Sequence, residues 1–256
     1  MFSKKIKAAV PLAVLFLVVA SCNVKEDRDN CPCRLELFFS DRHLPAVICL
    51  DSGEKQLVDT VWKAGVYSVD VPRGQLRLNA YSGDGGCFRP GDGFYVREGQ
   101  ECPPVYMCSS ILYADRMHMM DTVSLHKNFC KITLKVRTED GIRKYAWKLA
   151  LNGGVCGYDV EGNPVRGPFS FVARMTEDME YVCSVPRQLD NSMVLEIRDE
   201  PDVLRSFAVG EFIAESGYDW SRPDLEDIVM EINYSRTGVT FNVSDWRRTV
   251  DFDVII

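Results

Sequence analysis

Histidine is nearly missing from this chain, with three in 256 residues, at positions 43, 118 and 126. None of the three sits in a nucleophile or metal motif. Ser110, Ser170 and Ser82 all lack a GxSxG context, and the acid pairs Asp199-Glu200 and Glu226-Asp227 are adjacent, as in solvated edges and turns. An enzyme is therefore not expected, and no cofactor or metal is implied. Basic charge is also short: 30 Lys and Arg stand against 37 Asp and Glu, a formal net charge of −7. The sole basic pair that stands out is Arg247-Arg248, and an acidic surface repels phosphate backbones, so nucleic acid is not a partner class. Long apolar runs are scarce as well. The uncharged stretch Ala8 to Ala20 has 13 residues and is broken by Pro11, whereas a spanning helix needs about 20.

That short run has a different use. Lys4, Lys5 and Lys7 precede it and small residues close it, the layout of a secretory signal covering residues 1–21. Val19-Ala20-Ser21-Cys22 resembles the lipobox of bacterial lipoproteins, in which the cysteine is acylated and becomes the first residue. Each buried methylene of an acyl chain contributes about 0.8 kcal/mol, so an acylated Cys22 holds the chain on a membrane without a spanning helix. Residues 22–33 then form a tether. Its charged run Lys25-Glu26-Asp27 resembles a signal that carries some Gram-negative lipoproteins to the outer face of the outer membrane. Removal of residues 1–21 leaves 235 residues and takes the formal charge to −10.

Ten cysteines are present, and with Cys22 acylated nine remain, which allows four bridges and leaves one thiol over. Cys31-Pro32-Cys33 is too close for a CxxC zinc or redox site. Cys87, Cys102 and Cys108 are the candidates for a local bridge, while Cys130 and Cys183 lie in strand-like runs where a buried thiol acts as a small apolar side chain.

Period-two alternation dominates the rest. Leu35, Leu37 and Phe39 share one face of a strand over Arg34 to Ser40. Further strands are expected at 46–50, 66–71, 75–81, 121–126 and 129–138, and then at 145–151, 179–185, 193–197, 228–234, 239–243 and 250–255. Val66–Val71 and Gln75–Tyr81, joined by Pro72-Arg73-Gly74, read as a hairpin. Residues 83–99 are rich in glycine and read as a plain surface loop, without calcium spacing around Asp84 and Asp92. Val105 to Arg116 reads as moderately helical and Gly210 to Ser216 as a short helical turn. The fold expected is all-β, with one sandwich over 34–126 and another over 127–256.

The order of the segments KEDRDNCPCRLELFFS, VPRGQLRLNAYSG, GEFIAESGYDW, DLEDIVMEINYSR and VTFNVSDW resembles the fimbrial anchor and fimbrillin-like lipoproteins of bacterial type V pili, nearly end to end. The resemblance implies two tandem transthyretin-like β-sandwiches at the outer membrane, with fimbrial shaft subunits as partners. It also implies strand complementation: shaft pilins are cut at an arginine, lose their first strand and accept a strand from another subunit. Anchors keep lipid and first strand. Arg28 and Arg34 are the candidate cut sites here, but a strand so close to the lipid reads as retained, which favours an anchor or accessory subunit. On this view Leu35, Leu37 and Phe39 fill the first sandwich, and Val250, Phe252, Val254 and Ile256 lie at a subunit interface.

The alternative is a surface glycan-binding lipoprotein, whose mark would be exposed aromatic platforms. Trp62, Trp147, Trp220 and Trp246 are the candidates; Trp147 reads as core and Trp246 as a plug at a sandwich end. Met117-His118-Met119-Met120 has soft donors for copper, with packing at a domain end as the plainer reading.

Overall fold

The computed structural model describes residues 31–40, 42, 44–83, 88–89, 93–138, 147–198, 204–234, 238–244 and 249–255. The signal, Cys22, Arg28, His43, Cys87, Trp246 and Ile256 lie outside them. The all-β expectation holds.

In the first sandwich, β1 (Cys33–Phe39) lies between β4 (Val66–Val71) and β9 (His118–Val123) in a three-stranded sheet. The facing sheet runs in the order β10 (His126–Lys127), β8 (Val105–Ala114), β5 (Gly74–Gly83), β2 (Ala46–Ser52) and β3 (Lys55–Trp62). Cys33, Leu35 and Leu37 of β1 meet Ile48, Leu50, Leu76, Leu78 and Leu112 in one apolar core.

The second sandwich has a six-stranded sheet in the order β14 (Arg174–Met175), β15 (Tyr181–Pro186), β11 (Phe129–Thr138), β18 (Ile228–Tyr234), β19 (Gly238–Ser244) and β20 (Thr249–Ile255). Opposite it, β12 (Lys148–Tyr158) pairs with β13 (Pro164–Val172) on one edge. Its other edge takes β16 (Val194–Arg198), backed by β17 (Leu204–Phe207), and then β7 (Gly93–Tyr95), backed by β6 (Phe88–Arg89). The short helix α1 (Val209–Glu215) turns Val209 and Ile213 into the same core, as the helical turn expected near 210–216.

Three local expectations are overturned. The stretch 83–99 is not a plain loop: it carries β6 and β7 out of the first sandwich and pairs β7 with β12, through Gly157 with Tyr95 and Tyr158 with Phe94. Glycine permits the contact on both sides, since a Cβ on Gly93, one of the glycines that suggested a loop, would lie 2.2 Å from the Tyr158 oxygen, and one on Gly157 of β12 would lie 2.1 Å from the Phe94 oxygen. Val105 to Arg116 is not helical but mostly β8. Val105 and Met107 face the second body's core while Leu112 and Ala114 face their own, and this change of face mimics a helical apolar spacing. Finally, β4 and β5 are not a hairpin, because β4 pairs with β1 while β5 pairs with β2 and β8 in the other sheet. Residues 72–74 cross between layers.

The two bodies are joined by more than the chain. Tyr81, Val105 and Met107 share a core with Phe94, Phe129 and Tyr158. Arg77 pairs with Glu161 across the junction. Glu101 accepts from the Ser184 amide at 2.8 Å, and Arg174 reaches its other oxygen at 2.5 Å. The loop after α1 grips β10: Asp224 accepts from the Lys127 amide at 2.8 Å, and Asp227 sits 2.5 Å from Lys127 Nζ.

Arg187 fixes that loop. Its guanidinium donates to the carbonyls of Trp220, Arg222 (2.6 Å) and Pro223 (3.0 Å) and to Asn128 Oδ1 at 3.1 Å. These acceptors are all neutral, and burial lowers the arginine's proton affinity.

Candidate functional site

The residues singled out at the start of the chain converge on β1. Its antiparallel register with β4 sets Cys33 against Val71, Leu35 against Val69 and Leu37 against Tyr67. Its parallel register with β9 sets Leu35 beside Met119, Leu37 beside Asp121 and Phe39 beside Val123. Leu35 and Leu37 are fully buried, and Phe39 is half-buried against the same core. Burial of each leucine contributes roughly 1.5–3 kcal/mol.

Among the described strands, β4 and β9 have no partner other than β1. The three-stranded sheet therefore exists only through its central strand. Withdrawing β1 would open a trough along the first sandwich, floored by Ile48, Leu76 and Leu78 and walled by two strands with unpaired backbone groups.

Arg34 lies inside this strand. Its amide donates to the Met117 carbonyl at 2.8 Å, and its side chain meets Asp70 at 3.2 Å. A protease must draw an extended segment into its cleft, so cutting here requires β1 to open first.

At the other end of the chain, Val250, Phe252 and Val254 occupy alternate positions of β20, in register with Val243, Phe241 and Val239 of β19. β20 is an outer strand of its sheet, and its second edge has no partner among the described strands. The structure thus separates the two sets of singled-out residues: one fills a central strand of the first sandwich, the other an outer strand of the second.

The remaining candidates are dispersed. His118 faces Glu36 at 3.4 Å, and His126 faces Asp224 at 3.1 Å in a different sheet. Among the described residues, no three His, Cys, Asp or Glu side chains converge as a metal set. Cys102 and Cys108 are not joined to each other, and Cys87, the third candidate, lies outside the described residues. Cys130 and Cys183 are fully buried core residues, as their strands suggested, and burial pushes the Cys130 thiol up to about 12 and the Cys183 thiol higher. Burial and the Asp59 carboxylate push Cys49 up to about 11. None of these is a thiolate nucleophile.

Trp147 is core. Trp62 meets Tyr67 edge to face at 5.3 Å and donates to the Gly65 carbonyl at 3.0 Å. Trp220 meets Tyr218 edge to face at 4.8 Å in the other body. Of the methionine cluster, Met119 packs against the first core, but Met117 and Met120 are exposed, so packing accounts for only part of it. Sequence reasoning missed β7 and the junction it makes. The one signal was Phe94-Tyr95, an aromatic pair inside a glycine-rich stretch.

No protein-family model and no curated protein matches the chain. Solved structures do. A presumed polysaccharide-binding protein (DUF1812) from Bacteroides thetaiotaomicron superposes with TM-score 0.64 at 11% identity, covering 84% of this chain and 98% of that one. A presumed adhesin from Bacteroides ovatus gives 0.64 at 14% identity, covering 90% and 97%. The fimbrial anchor protein Mfa2 from Porphyromonas gingivalis gives 0.59 at 10% identity, covering 85% and 100%. The fold is shared. At such identities the likeness reaches the path of the chain and no further, but it runs through both sandwiches in the order observed.

Proposed function

We propose that this chain is a surface-exposed outer-membrane lipoprotein that serves as an anchor or accessory subunit of a pilus. Lipid on Cys22 holds it to the membrane, and it joins fimbrial shaft subunits by sharing strands. The observation that carries this reading is the position of β1: a central strand on which both neighbours depend, set at the end of the chain next to the tether. The shared fold with a fimbrial anchor protein supports it.

In this reading β1 stays in place. Its backbone is paired on both edges and Arg34 is tied to Asp70 and Met117, which disfavours release by cleavage. The docking element then lies elsewhere, and β20 offers the long outer edge suited to adding a strand. No catalytic role is proposed. The glycan-binding alternative has less support, because Trp62 and Trp220 sit in separate bodies, each edge-on to a tyrosine, and make no common platform.

Mass spectrometry of the protein from outer membranes tests the anchor. The expected mature chain begins at an acylated Cys22 and retains β1; a start beyond Ser40 would sink the proposal. Copurification with a shaft subunit, together with fibres that come loose when this protein is deleted, is the expected cellular result. Fibres that stay attached would count against it.

A further inference from the structure

We propose that the end of the first sandwich around the β8–β9 turn rests against the bilayer surface, an inference that builds on the lipid at Cys22. Four large apolar side chains stand in water there, all within residues 111–120: Ile111 is 50% exposed, Tyr113 63%, Met117 54% and Met120 59%. Ile111, Tyr113 and Met120 line one open groove of about 490 Å³ between the edges of the two sheets. Isolated exposed apolar residues are ordinary, but a concentrated set marks a contact surface.

The path of the chain selects the occupant. The Cys31 carbonyl accepts from Arg73 Nε at 3.0 Å, and the same guanidinium donates to the Asp115 carbonyl at 3.0 Å. With the bond from the Arg34 amide to the Met117 carbonyl, the point where the tether meets the sandwich is stitched to the β8–β9 turn. Residues 22–30, even fully extended, reach only about 30 Å. The exposed set is thus confined beside the membrane, and the tether turns a weak contact into an intramolecular one.

Nearby, Arg116 lies 3.6 Å from Asp115 and Arg34 3.2 Å from Asp70, while Glu36 and Asp121 add negative charge, so the patch carries no excess of cations to draw anionic lipid. The contact is therefore to the boundary between headgroups and acyl chains, where a tyrosine ring and thioethers are well placed, and does not depend on anionic lipid.

The test uses the full acylated chain in vesicles of phosphatidylethanolamine and phosphatidylglycerol, with a photoreactive benzophenone amino acid in place of Tyr113, Met117 or Met120. Met175 and Leu189, exposed on the second body, are the control positions. At least tenfold more lipid adduct is expected at the three positions than at the controls, with little change when phosphatidylglycerol is omitted. Equal labelling at all positions, or adducts to a second copy of the chain, would overturn the inference. Intact mass separates the two layers: an unacylated Cys22 removes the anchor reading and this inference with it, whereas an acylated Cys22 with no lipid adduct at 113, 117 or 120 removes this inference alone.

Discussion

The two sandwiches repeat one arrangement with different consequences. In the first, β1 lies antiparallel to β4 and parallel to β9; in the second, β11 lies antiparallel to β15 and parallel to β18. The buried positions match as well: Cys33, Leu35 and Leu37 in β1 correspond to Cys130, Ile132 and Leu134 in β11. The strands differ in how they are held. β11 has ten residues, sits mid-chain and belongs to a sheet continued by β19 and β20, whereas β1 has seven and is, among the described strands, the only link between its neighbours. Loss of β1 would therefore separate two strands from their sheet, whereas loss of β11 would still leave β18, β19 and β20 paired with one another.

Deleting residues 34–39 should have the largest effect and tests the contrast directly. Amides of β2 and β5 are expected to lose their hydrogen-exchange protection, while those of β11, β15 and β18 keep theirs. Loss spreading into β11 would break the comparison. Leu37→Ala and Leu134→Ala should each cost about 2–5 kcal/mol by urea denaturation, the first loosening only its own sandwich. Arg187→Met, which frees four neutral acceptors around one loop, should cost about 2–3 kcal/mol and speed exchange at 218–228.

An alkaline titration sharpens the comparison further. Unfolded thiols ionise near 8.5, but burial holds Cys130 at about 12, so the folded state keeps its proton longer. The associated stability is complete below pH 8.5 and is lost as pH rises toward 12, on the order of 3 kcal/mol between pH 8 and 11 in reducing buffer. The smallest effect is expected from Arg34→Gln: under about 1 kcal/mol, since the pair with Asp70 is half-exposed, with no change in the mature N-terminus.

The strands most plainly legible in the sequence have one buried face. Leu35 and Leu37, or Ile132 and Leu134, alternate cleanly because each strand meets a single core. Some elements serving two bodies, or none fully, were hidden, although β5, which serves both, was read at 75–81. β8 changes its buried face midway, β3 is an outer strand with Val58 as its only buried residue, and β13 carries two prolines and a glycine that its partner β12 tolerates at an edge. The crossing at 72–74 was illegible because alternation reports which face is buried and not which strand lies alongside. The candidate site followed the same rule: β1 could be read from its leucines, whereas the dependence of β4 and β9 on it is a property of sheet order.

The pairing of β7 with β12 matters once the protein is pulled. Under tension applied between Cys31 and residue 255, a simple linker at residues 124–128 would let the halves hinge apart. Because the β5–β8 excursion is sewn into the neighbouring sheet, separation must first shear those backbone bonds, so tension travels through both halves as through a single stiff rod.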